Sequence, residues 1–353
     1  MVQHYISTIL NWSTIIKLIL AAATLFPAAV HATDSTSGGE LWRYVPAFHG
    51  TMRAFYQQST TDGEGRFIIR NARLSAGGFV LPTIDYFLQV DFCDRGKIKL
   101  LDAFMRVTPT KSLQVYLGQM RVPFSIEACR LPHLYYFTDV GLVTLYSNLR
   151  SVGIKAGYNV PGTGLYAEGG VFNASDMSDH TQWNSAMTYG IKTIYTVSRF
   201  KPEVSFMSRV PGGKGYGCRI NQLDTGMSWQ WGGLFIEGEY LWRHYCGPMK
   251  NSVAYSILAD YEWPVKWKLA NRMSVQARYE GITAGSSGQY IEGKLQADIP
   301  ARKRLTFGAT SKLIYQKIHF DLKINYEQYF YHDDSDISAD DNSKLVAGAV
   351  MYF

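Results

Sequence analysis

Beyond residue 40 the chain consists of short segments in which apolar and polar residues alternate. The alternation is clearest in segment 253–263, where Asp260 and Glu262 lie between apolar residues, and in segment 318–327. A period of two residues predicts β-strands with one apolar and one polar face. The segments are about 9–12 residues long, a length that suits a tilted strand crossing a membrane.

The connections between these segments alternate between long polar loops and short turns. The loops TTDGEG (60–65) and NASDMSDHTQWNS (173–185) are long, whereas Leu81-Pro82 and Gly232-Gly233 are short, and the latter suits a hairpin. A soluble sandwich also has strands with a polar face, but outer-membrane barrels combine strands of this length with this alternation of connections. The pattern predicts an all-β fold, a transmembrane antiparallel β-barrel of about 16 strands.

One long interval interrupts the alternation. Leu113, Val115 and Leu117 alternate with polar residues or glycine, but the pattern stops at Pro123 and resumes only at Val152. Connections this long inside a compact domain are uncommon and usually functional. We interpret the interval as a long third loop that folds into the lumen of the barrel and narrows a pore. A loop that faces outward is the alternative.

The stretch 281–303 is ambiguous, because YIEGKLQADI (290–299) has the length of a strand. Counting it would make the number of strands odd, whereas single-chain bacterial barrels have even numbers. We therefore treat this stretch as part of a long loop.

The N-terminus has the pattern of a secretory signal peptide. Lys17 precedes the apolar run LILAAATLFPAAV, and small residues follow at the end of the run. We predict a signal peptide at 1–32, cleaved after Ala32, then a polar leader at 33–40 and the barrel domain at 41–353. A retained N-terminal helix is the alternative.

Composition is consistent with a barrel and excludes other classes. The chain has 24 Tyr, 18 Phe, 8 Trp and 32 Gly, which suits aromatic girdles and tight turns. Its mean hydropathy of −0.11 argues against a helical membrane protein. The net charge of +6 is a mild basic bias, which predicts no nucleic-acid partner. The 4 cysteines form no CxxC pair, so pairing of Cys218 with Cys246 and of Cys93 with Cys129, or four free thiols, all remain open.

The polar faces of the strands carry both basic and acidic residues. Arginine and lysine rings lining a pore select anions, and the guanidinium fork suits phosphate oxygens. Arg121 and Arg130 lie in or beside the proposed constriction. The alternative for each residue is an ion pair across strands that sets no net field. The predicted pore-lining residues are Arg121, Arg130, Arg73, Arg53, Arg106, Lys155, Lys192 and Lys323.

Motifs of enzymes and metal sites are absent from the sequence. No GxSxG, HExxH or phosphate-binding loop occurs, and the histidines have no metal-ligand spacing. The sequence therefore predicts no catalysis, no metal site and no cofactor.

Several stretches resemble the phosphate-selective porin O and P family. The most specific is GQMRVPFSIE (118–127), which is similar to the family pattern Gly-[Lys/Gln]-x-[Lys/Arg]-x-Pro-Phe-x-x-Glu at the start of the third loop. Other stretches are RNARLSAGG, DYFLQVDF, KLLDAFMRVTP, DIPARKRLTFGAT and KINYEQYFY. The resemblance implies a sixteen-stranded trimeric porin that passes anions, with a basic residue at Arg121.

These observations lead to one expectation and one alternative. We expect a porin in the bacterial outer membrane that gives passive diffusion of small hydrophilic solutes, with an anion bias of the phosphate type. Its partners would be membrane lipid, small anions, two further copies in a homotrimer, and the barrel-assembly machinery through the C-terminal Phe353. The acidic residues on the polar face, such as Glu237 and Glu239, favour weak rather than tight anion selection. The alternative is a barrel that does not conduct and has a structural or ligand-binding role.

Overall fold

The computed structural model describes residues 44–353 except 95, 148, 175–182, 184, 212–216, 289, 292–293, 296 and 332–341. Strands dominate this part of the chain. Their bounds are β1 Ala47–Ser59, β2 Gly65–Leu81, β3 Ile84–Asp94, β4 Lys97–Val107, β5 Leu113–Arg121, β6 Arg150–Val160, β7 Leu165–Asn173, β8 Met187–Tyr195, β9 Phe200–Arg209, β10 Ile220–Trp231, β11 Leu234–Tyr245, β12 Ser252–Trp267, β13 Ala270–Ile282, β14 Tyr290–Ile291, β15 Lys294–Leu295, β16 Arg302–Tyr315, β17 Ile318–Tyr331 and β18 Lys344–Tyr352.

Sixteen of these strands form one closed antiparallel barrel. Each strand pairs with its neighbour in the chain, and β1 closes the barrel on β18 with Thr51 opposite Tyr352. The strands β14 and β15 form a separate two-stranded hairpin. The predicted fold is therefore confirmed, and YIEGKLQADI is not a barrel strand. The loop predicted to reach Lys303 ends earlier, because β16 already begins at Arg302.

The two faces of the wall are inverted relative to those of a soluble protein. On β17, Leu322 and Ile324 are 48% and 49% exposed, whereas Lys323 and Asn325 are 5% and 1% exposed. Apolar side chains on the outside and charged ones inside are the arrangement of a barrel that faces lipid. Ile257 follows the same rule and is 54% exposed on the outer face.

The connections at the two ends of the barrel differ in length. At one end lie turns such as 82–83, 232–233 and 316–317, and at the other lie longer segments such as 122–149 and 283–301. Gly232 has a φ of +56°, which glycine adopts without a Cβ penalty, as expected for the predicted hairpin turn. In outer-membrane barrels the short turns face the periplasm.

The signal peptide at 1–32, its cleavage after Ala32 and the leader at 33–40 lie outside the described residues, as does the start of the domain at 41–43, so these boundaries stay predictions. No helix among the described residues has the length and apolar character needed to cross a membrane.

All four cysteines are free. Cys218 is buried with Tyr245, whereas Cys246, which directly follows the end of β11, is exposed.

Candidate functional site: the lumen and its loop

Segment 122–149, which connects β5 to β6, contacts inward-facing side chains on many strands of the barrel. Two turns of 3-10 helix, Glu127–Cys129 and Pro132–Leu134, and one helical turn, Thr144–Ser147, give it local structure. Its hydrogen-bond partners lie on β1, β8, β9, β10, β11, β13, β16 and β17. The segment therefore crosses the lumen, and we call it the lumen loop.

A single carboxylate holds the first part of the lumen loop. Glu239 Oε1 accepts hydrogen bonds from Ser125 Oγ at 2.6 Å and from Ile126 N at 2.7 Å. Its Oε2 accepts one from Glu127 N at 3.2 Å. Because one carboxyl group accepts three hydrogen bonds from consecutive residues of the loop, Glu239 is the main anchor at this point.

Hydrogen bonds from three strands fix the position of Ser125. Its backbone N donates to Ser205 Oγ at 3.0 Å, and its carbonyl oxygen accepts from Lys192 Nζ at 2.9 Å. Ser125 has a φ of +69°, a conformation that is strained for a residue with a Cβ. Contacts from β8, β9 and β11 therefore impose this turn on the chain.

A second anchor holds the later part of the lumen loop. Leu142 N donates to Glu280 Oε2 at 2.6 Å, and Arg304 Nη2 donates to the Val140 carbonyl at 2.5 Å. Arg304 also pairs with Glu280 at 2.6 Å and with Glu327 at 3.1 Å. This ion-pair network, which is buried in the wall, fixes two backbone groups of the loop.

Between the two anchors an arginine lies between two carboxylates. Arg130 pairs with Glu127 at 2.6 Å and with Glu237 at 2.5 Å. Its guanidinium also lies 5.1 Å from the centroid of the Tyr136 ring, which stacks on Phe235 at 5.1 Å. The single cation of Arg130 is therefore outnumbered by its two carboxyl partners, Glu127 and Glu237.

The protonation of these loop groups follows from their surroundings. Burial would raise the pKa of Glu127, but Arg130 and Arg278 outweigh it and hold that pKa below its usual value. Burial would lower the pKa of Arg130, but Glu127 and Glu237 outweigh it and raise that pKa. Both groups are charged at neutral pH. Burial, with nearby His319 and His49, lowers the pKa of His133 to about 4, so this imidazole is neutral.

A hydrophobic cluster fills part of the lumen beside the loop. It joins loop residues such as Phe124, which is fully buried, to inward-facing wall residues such as Leu241. The lumen of a water-filled porin is polar, so a dry cluster here is unexpected. Its buried members are Met120, Val122, Phe124, Leu142, Val143, Tyr146, Leu149, Phe172, Met207, Leu241, Ala254, Ile282 and Tyr329.

A cavity of about 630 Å³ lies next to the lumen loop, towards the end with short turns. Ile194, Phe235 and Ile314, which line it, come from the ends of strands next to those turns. Its charged lining residues are Arg130, Lys192, Lys201, Arg272, Lys312, Lys323, Glu168, Glu203, Glu237, Glu262 and Asp321.

Three of the predicted pore residues donate to the backbone of the lumen loop. Arg53 Nη2 donates to the Thr138 carbonyl at 2.5 Å, Lys192 donates to the Ser125 carbonyl, and Lys323 donates to the Tyr135 carbonyl. Their cationic groups therefore support the loop. Lys192 and Lys323 also line the cavity.

Three others form ion pairs across neighbouring strands. Arg73 pairs with Asp91 at 2.8 Å, Arg106 with Asp85 at 2.9 Å, and Lys155 with Glu168 at 2.8 Å. Ion pairs across strands, which set no net field, are the alternative to a role of these residues in attracting anions. Their effect on ion passage stays a prediction.

Arg121 ends β5 directly opposite Arg150 of β6. Arg150 pairs with Asp102 at 3.0 Å. The two arginines lie where the lumen loop leaves and rejoins the wall, whereas Arg130 lies further along the loop. The structure therefore does not bring Arg121 and Arg130 into one cluster with the cavity, and only Arg130 lines it.

Several of the anchoring residues were not among the predicted site residues. Arg304, Glu280 and Asn325, whose Oδ1 accepts from Thr138 N at 2.9 Å, hold the loop from the wall. Strand alternation alone places Arg304 and Asn325 on the inner face. It does not reveal that they contact a segment more than 150 positions away.

Across the described ranges no group of three or more His, Cys, Asp or Glu residues has the geometry to hold a metal ion.

A closed antiparallel barrel with an apolar exterior, charged lumen and internal loop defines an outer-membrane barrel of the porin type, located in the bacterial outer membrane. The model of the family described as phosphate-selective porin O and P matches residues 47–199. This match confirms the resemblance seen in the sequence, over the first eight strands of the barrel.

Solved outer-membrane proteins share the fold at low sequence identity. The outer membrane channel DcaP of Acinetobacter baumannii is 11% identical with a TM-score of 0.59, covering 87% of this chain and 97% of that one. Salmonella typhi OmpF, solved in complex with daunomycin, is 13% identical with a TM-score of 0.59 and the same coverage. The trimer form of Vibrio cholerae OmpT is 12% identical with a TM-score of 0.55, covering 88% and 99%. No curated protein matches the chain.

Proposed function

We propose that this porin gives passive diffusion of small hydrophilic solutes with a weak preference for anions. The lining of the 630 Å³ cavity carries the proposal, with six basic residues against five acidic ones. Rings of basic residues in a pore favour anions, and the small surplus supports a weak bias rather than tight capture of phosphate. The name of the matching family, phosphate-selective porins, supports the same direction.

The reversal potential across a KCl gradient tests this proposal. Arg130→Ala removes a cation and leaves Glu127 and Glu237 without their shared partner, so we expect the reversal potential to move towards K⁺ preference. Arg121→Ala, further from the cavity, should move it less. Lys268→Ala, a charge removed from the turn between β12 and β13, serves as the control and should leave it unchanged. A reversal potential unaffected by Arg130→Ala would contradict a role for the loop in selectivity.

The homotrimer and recognition by the barrel-assembly machinery also remain proposals. One similar structure is described as a trimer form. Phe353 follows β18, is 48% exposed and exchanges backbone hydrogen bonds of 3.2 Å with Gly50. An exposed aromatic residue at the end of the last strand supports its use as an assembly signal.

A second candidate, a barrel that does not conduct, is favoured by the hydrophobic cluster in the lumen. Tyr146 belongs to that cluster and donates a hydrogen bond of 2.9 Å to the Thr283 carbonyl in the segment between β13 and β16. The cluster and this segment together would close the end of the lumen that carries the longer loops. Planar-bilayer recordings distinguish the two candidates, since this one predicts no open current.

A further inference from the structure

A second cavity, of about 340 Å³, lies at the end of the barrel that carries the short turns. It adjoins the 630 Å³ cavity at the tip of the lumen loop, because His133, His319 and Tyr352 line both. Its other walls come from β1, β2 and β3. We call it the mouth cavity.

The mouth cavity faces the lumen. Thr51, which lines it, lies opposite both Arg73 and Tyr352, and Arg73 lies opposite Asp91. Directly opposite residues of an antiparallel pair share one face of the sheet. Asp91 is 1% exposed and therefore marks the inner face of the wall. A ligand in this cavity is thus reached through water and not through lipid.

The titratable residues that line the mouth cavity are basic, apart from Tyr352. Arg73 and Lys317 line it together with His49, His133 and His319, and no described aspartate or glutamate does. The 630 Å³ cavity differs, because its basic residues are nearly matched by acidic ones. The mouth cavity therefore favours an anion more strongly than its neighbour does.

Two of these cations retain donors for a ligand. Arg73 pairs through Nε with Asp91 at 2.8 Å, but its Nη1 is buried and has no hydrogen-bond partner among the described residues. Lys317, in the turn between β16 and β17, forms no ion pair within the described part of the chain. A buried donor without an acceptor is costly, so an anionic ligand at Arg73 would remove a cost that the free barrel carries.

The positive charge at the mouth cavity already acts on His133. Burial is the main reason that the pKa of His133 falls to about 4, and His319, His49 and Arg73 lower it further. Surroundings that disfavour an added proton favour an added anion.

The rest of the lining includes large apolar surfaces. Leu131 and Pro132 of the lumen loop line the cavity, as do Phe87 and Phe353 of the wall. Leu131 is 42% exposed. Apolar surface in contact with water is unfavourable, so a ligand with an apolar body gains from covering it, whereas a small inorganic anion does not.

From these observations we propose that the mouth cavity binds a small organic carboxylate with an apolar body. The carboxylate accepts a hydrogen bond from Arg73 Nη1 and is attracted by Lys317, and the apolar body covers Leu131. The volume of about 340 Å³ is within the range of small-ligand sites. Passage of the carboxylate through the barrel rests on the proposed porin function, but binding does not.

Isothermal titration calorimetry on the folded full-length barrel in a non-ionic detergent at neutral pH tests the site. Benzoate, which is ionised at this pH, is the probe. Benzyl alcohol lacks the charge, and acetate and inorganic phosphate lack the apolar body. We expect saturable binding of benzoate, and binding of each comparison ligand that is about tenfold weaker or absent.

A double variant tests the contribution of Arg73. Arg73→Gln combined with Asp91→Asn removes both charges of the pair, so no carboxylate is left without its cation, and should weaken benzoate binding about tenfold. Arg106→Gln combined with Asp85→Asn is the matched control. It removes another cross-strand pair, which lines neither cavity, and should leave binding unchanged.

A second pair of variants tests the apolar surface of the loop tip. Leu131→Asn should weaken benzoate binding about threefold. Leu134 is exposed on the same loop tip but lines only the 630 Å³ cavity, so Leu134→Asn should leave binding unchanged. Both side chains are exposed, so both variants are expected to fold.

Four results would each overturn the proposal: no saturable binding of benzoate, equal binding of benzyl alcohol, equal or tighter binding of phosphate, or unchanged binding by the folded Arg73→Gln/Asp91→Asn variant. Ion current without benzoate binding would leave the porin function standing and remove the carboxylate site. Benzoate binding without current would do the reverse.

Discussion

At the scale of single residues, the lumen loop depends on a few charged side chains that act on backbone atoms. Glu239 accepts three hydrogen bonds from the turn at Ser125, whose φ of +69° needs support from its surroundings. Lys192 and Lys323 likewise donate to loop carbonyls. Charged side chains inside this barrel therefore fix the geometry of the loop.

Glu239→Gln should loosen the first anchor. The amide retains one acceptor oxygen but replaces the other with an NH₂ donor, so at least one of the three hydrogen bonds is lost, each worth about 0.5–1.5 kcal/mol. We expect faster hydrogen exchange at Ile126 and Glu127 N, measured by mass spectrometry of peptides covering 124–130. Glu262→Gln, which removes a lumen carboxylate bound to Arg272 and Lys312, is the control. Equal protection of these amides in both variants would contradict the anchoring role.

Acid should weaken docking of the loop through His133. Its pKa is lowered to about 4 by burial and by His319 and His49, and undocking would return it towards the ordinary value of about 6.5. The docked loop thus binds fewer protons between these values, so its stability is complete above pH ~6.5 and declines as pH falls towards ~4.

We therefore expect that exchange of amides 132–138, corrected for the intrinsic effect of pH, increases from pH 7 to pH 5. His133→Gln cannot be protonated and should lose most of this dependence. The ring of His133 stacks on Tyr352 at 4.4 Å, so His133→Phe provides a second variant that keeps the stacking. An unchanged pH dependence in both variants would exclude His133 as its source.

At the scale of elements, the loop and the wall strands share a hydrophobic cluster, and this is the feature that sequence patterns predict least well. Alternation says only that Leu241 lies on the opposite face from its immediate neighbours. Because apolar residues of such a barrel normally lie on the lipid face, alternation does not predict an apolar residue on the inner face at this position. At Leu241 and Phe172 the inner face is apolar, because the loop covers it. Long-range packing decides such positions, and a period of two carries no information about it.

By contrast, the strands themselves follow from local sequence. Segment 318–327 was predicted from alternation alone, and β17 extends over Ile318–Tyr331. The break in alternation at Pro123 lies just after the end of β5 at Arg121. The use of Arg53, Lys192 and Lys323 as backbone donors does not follow from local sequence, because their partners are set by how the loop folds in space.

Phe124→Ala should destabilise the loop and its cluster. Phe124 is fully buried, and truncation of a buried phenylalanine costs about 3–5 kcal/mol. We expect a lower free energy of unfolding in guanidinium, together with larger or noisier single-channel current because the lumen is less filled. Phe320→Ala, on the lipid face and 37% exposed, is the control for barrel stability without an effect on the lumen. Wild-type current from a folded Phe124→Ala barrel would indicate that the cluster does not limit conduction.

At the scale of the whole molecule, the inverted faces of the wall make the closed barrel suitable for lipid on the outside and for water within. The charged lumen is nearly balanced, with the loop anchored from both sides by buried carboxylates and arginines. Such a lumen passes small solutes with little charge preference if the space beside the loop connects both ends. The hydrophobic cluster opposes that connection, so conduction is the central question.

Single-channel recording of the folded full-length protein in planar lipid bilayers answers it most directly. We predict discrete, long-lived open currents whose reversal potential in a KCl gradient has a weak preference for Cl⁻. Bilayers that contain correctly folded barrels, verified by heat-modifiable gel mobility, yet carry no current would contradict a porin and support the closed barrel.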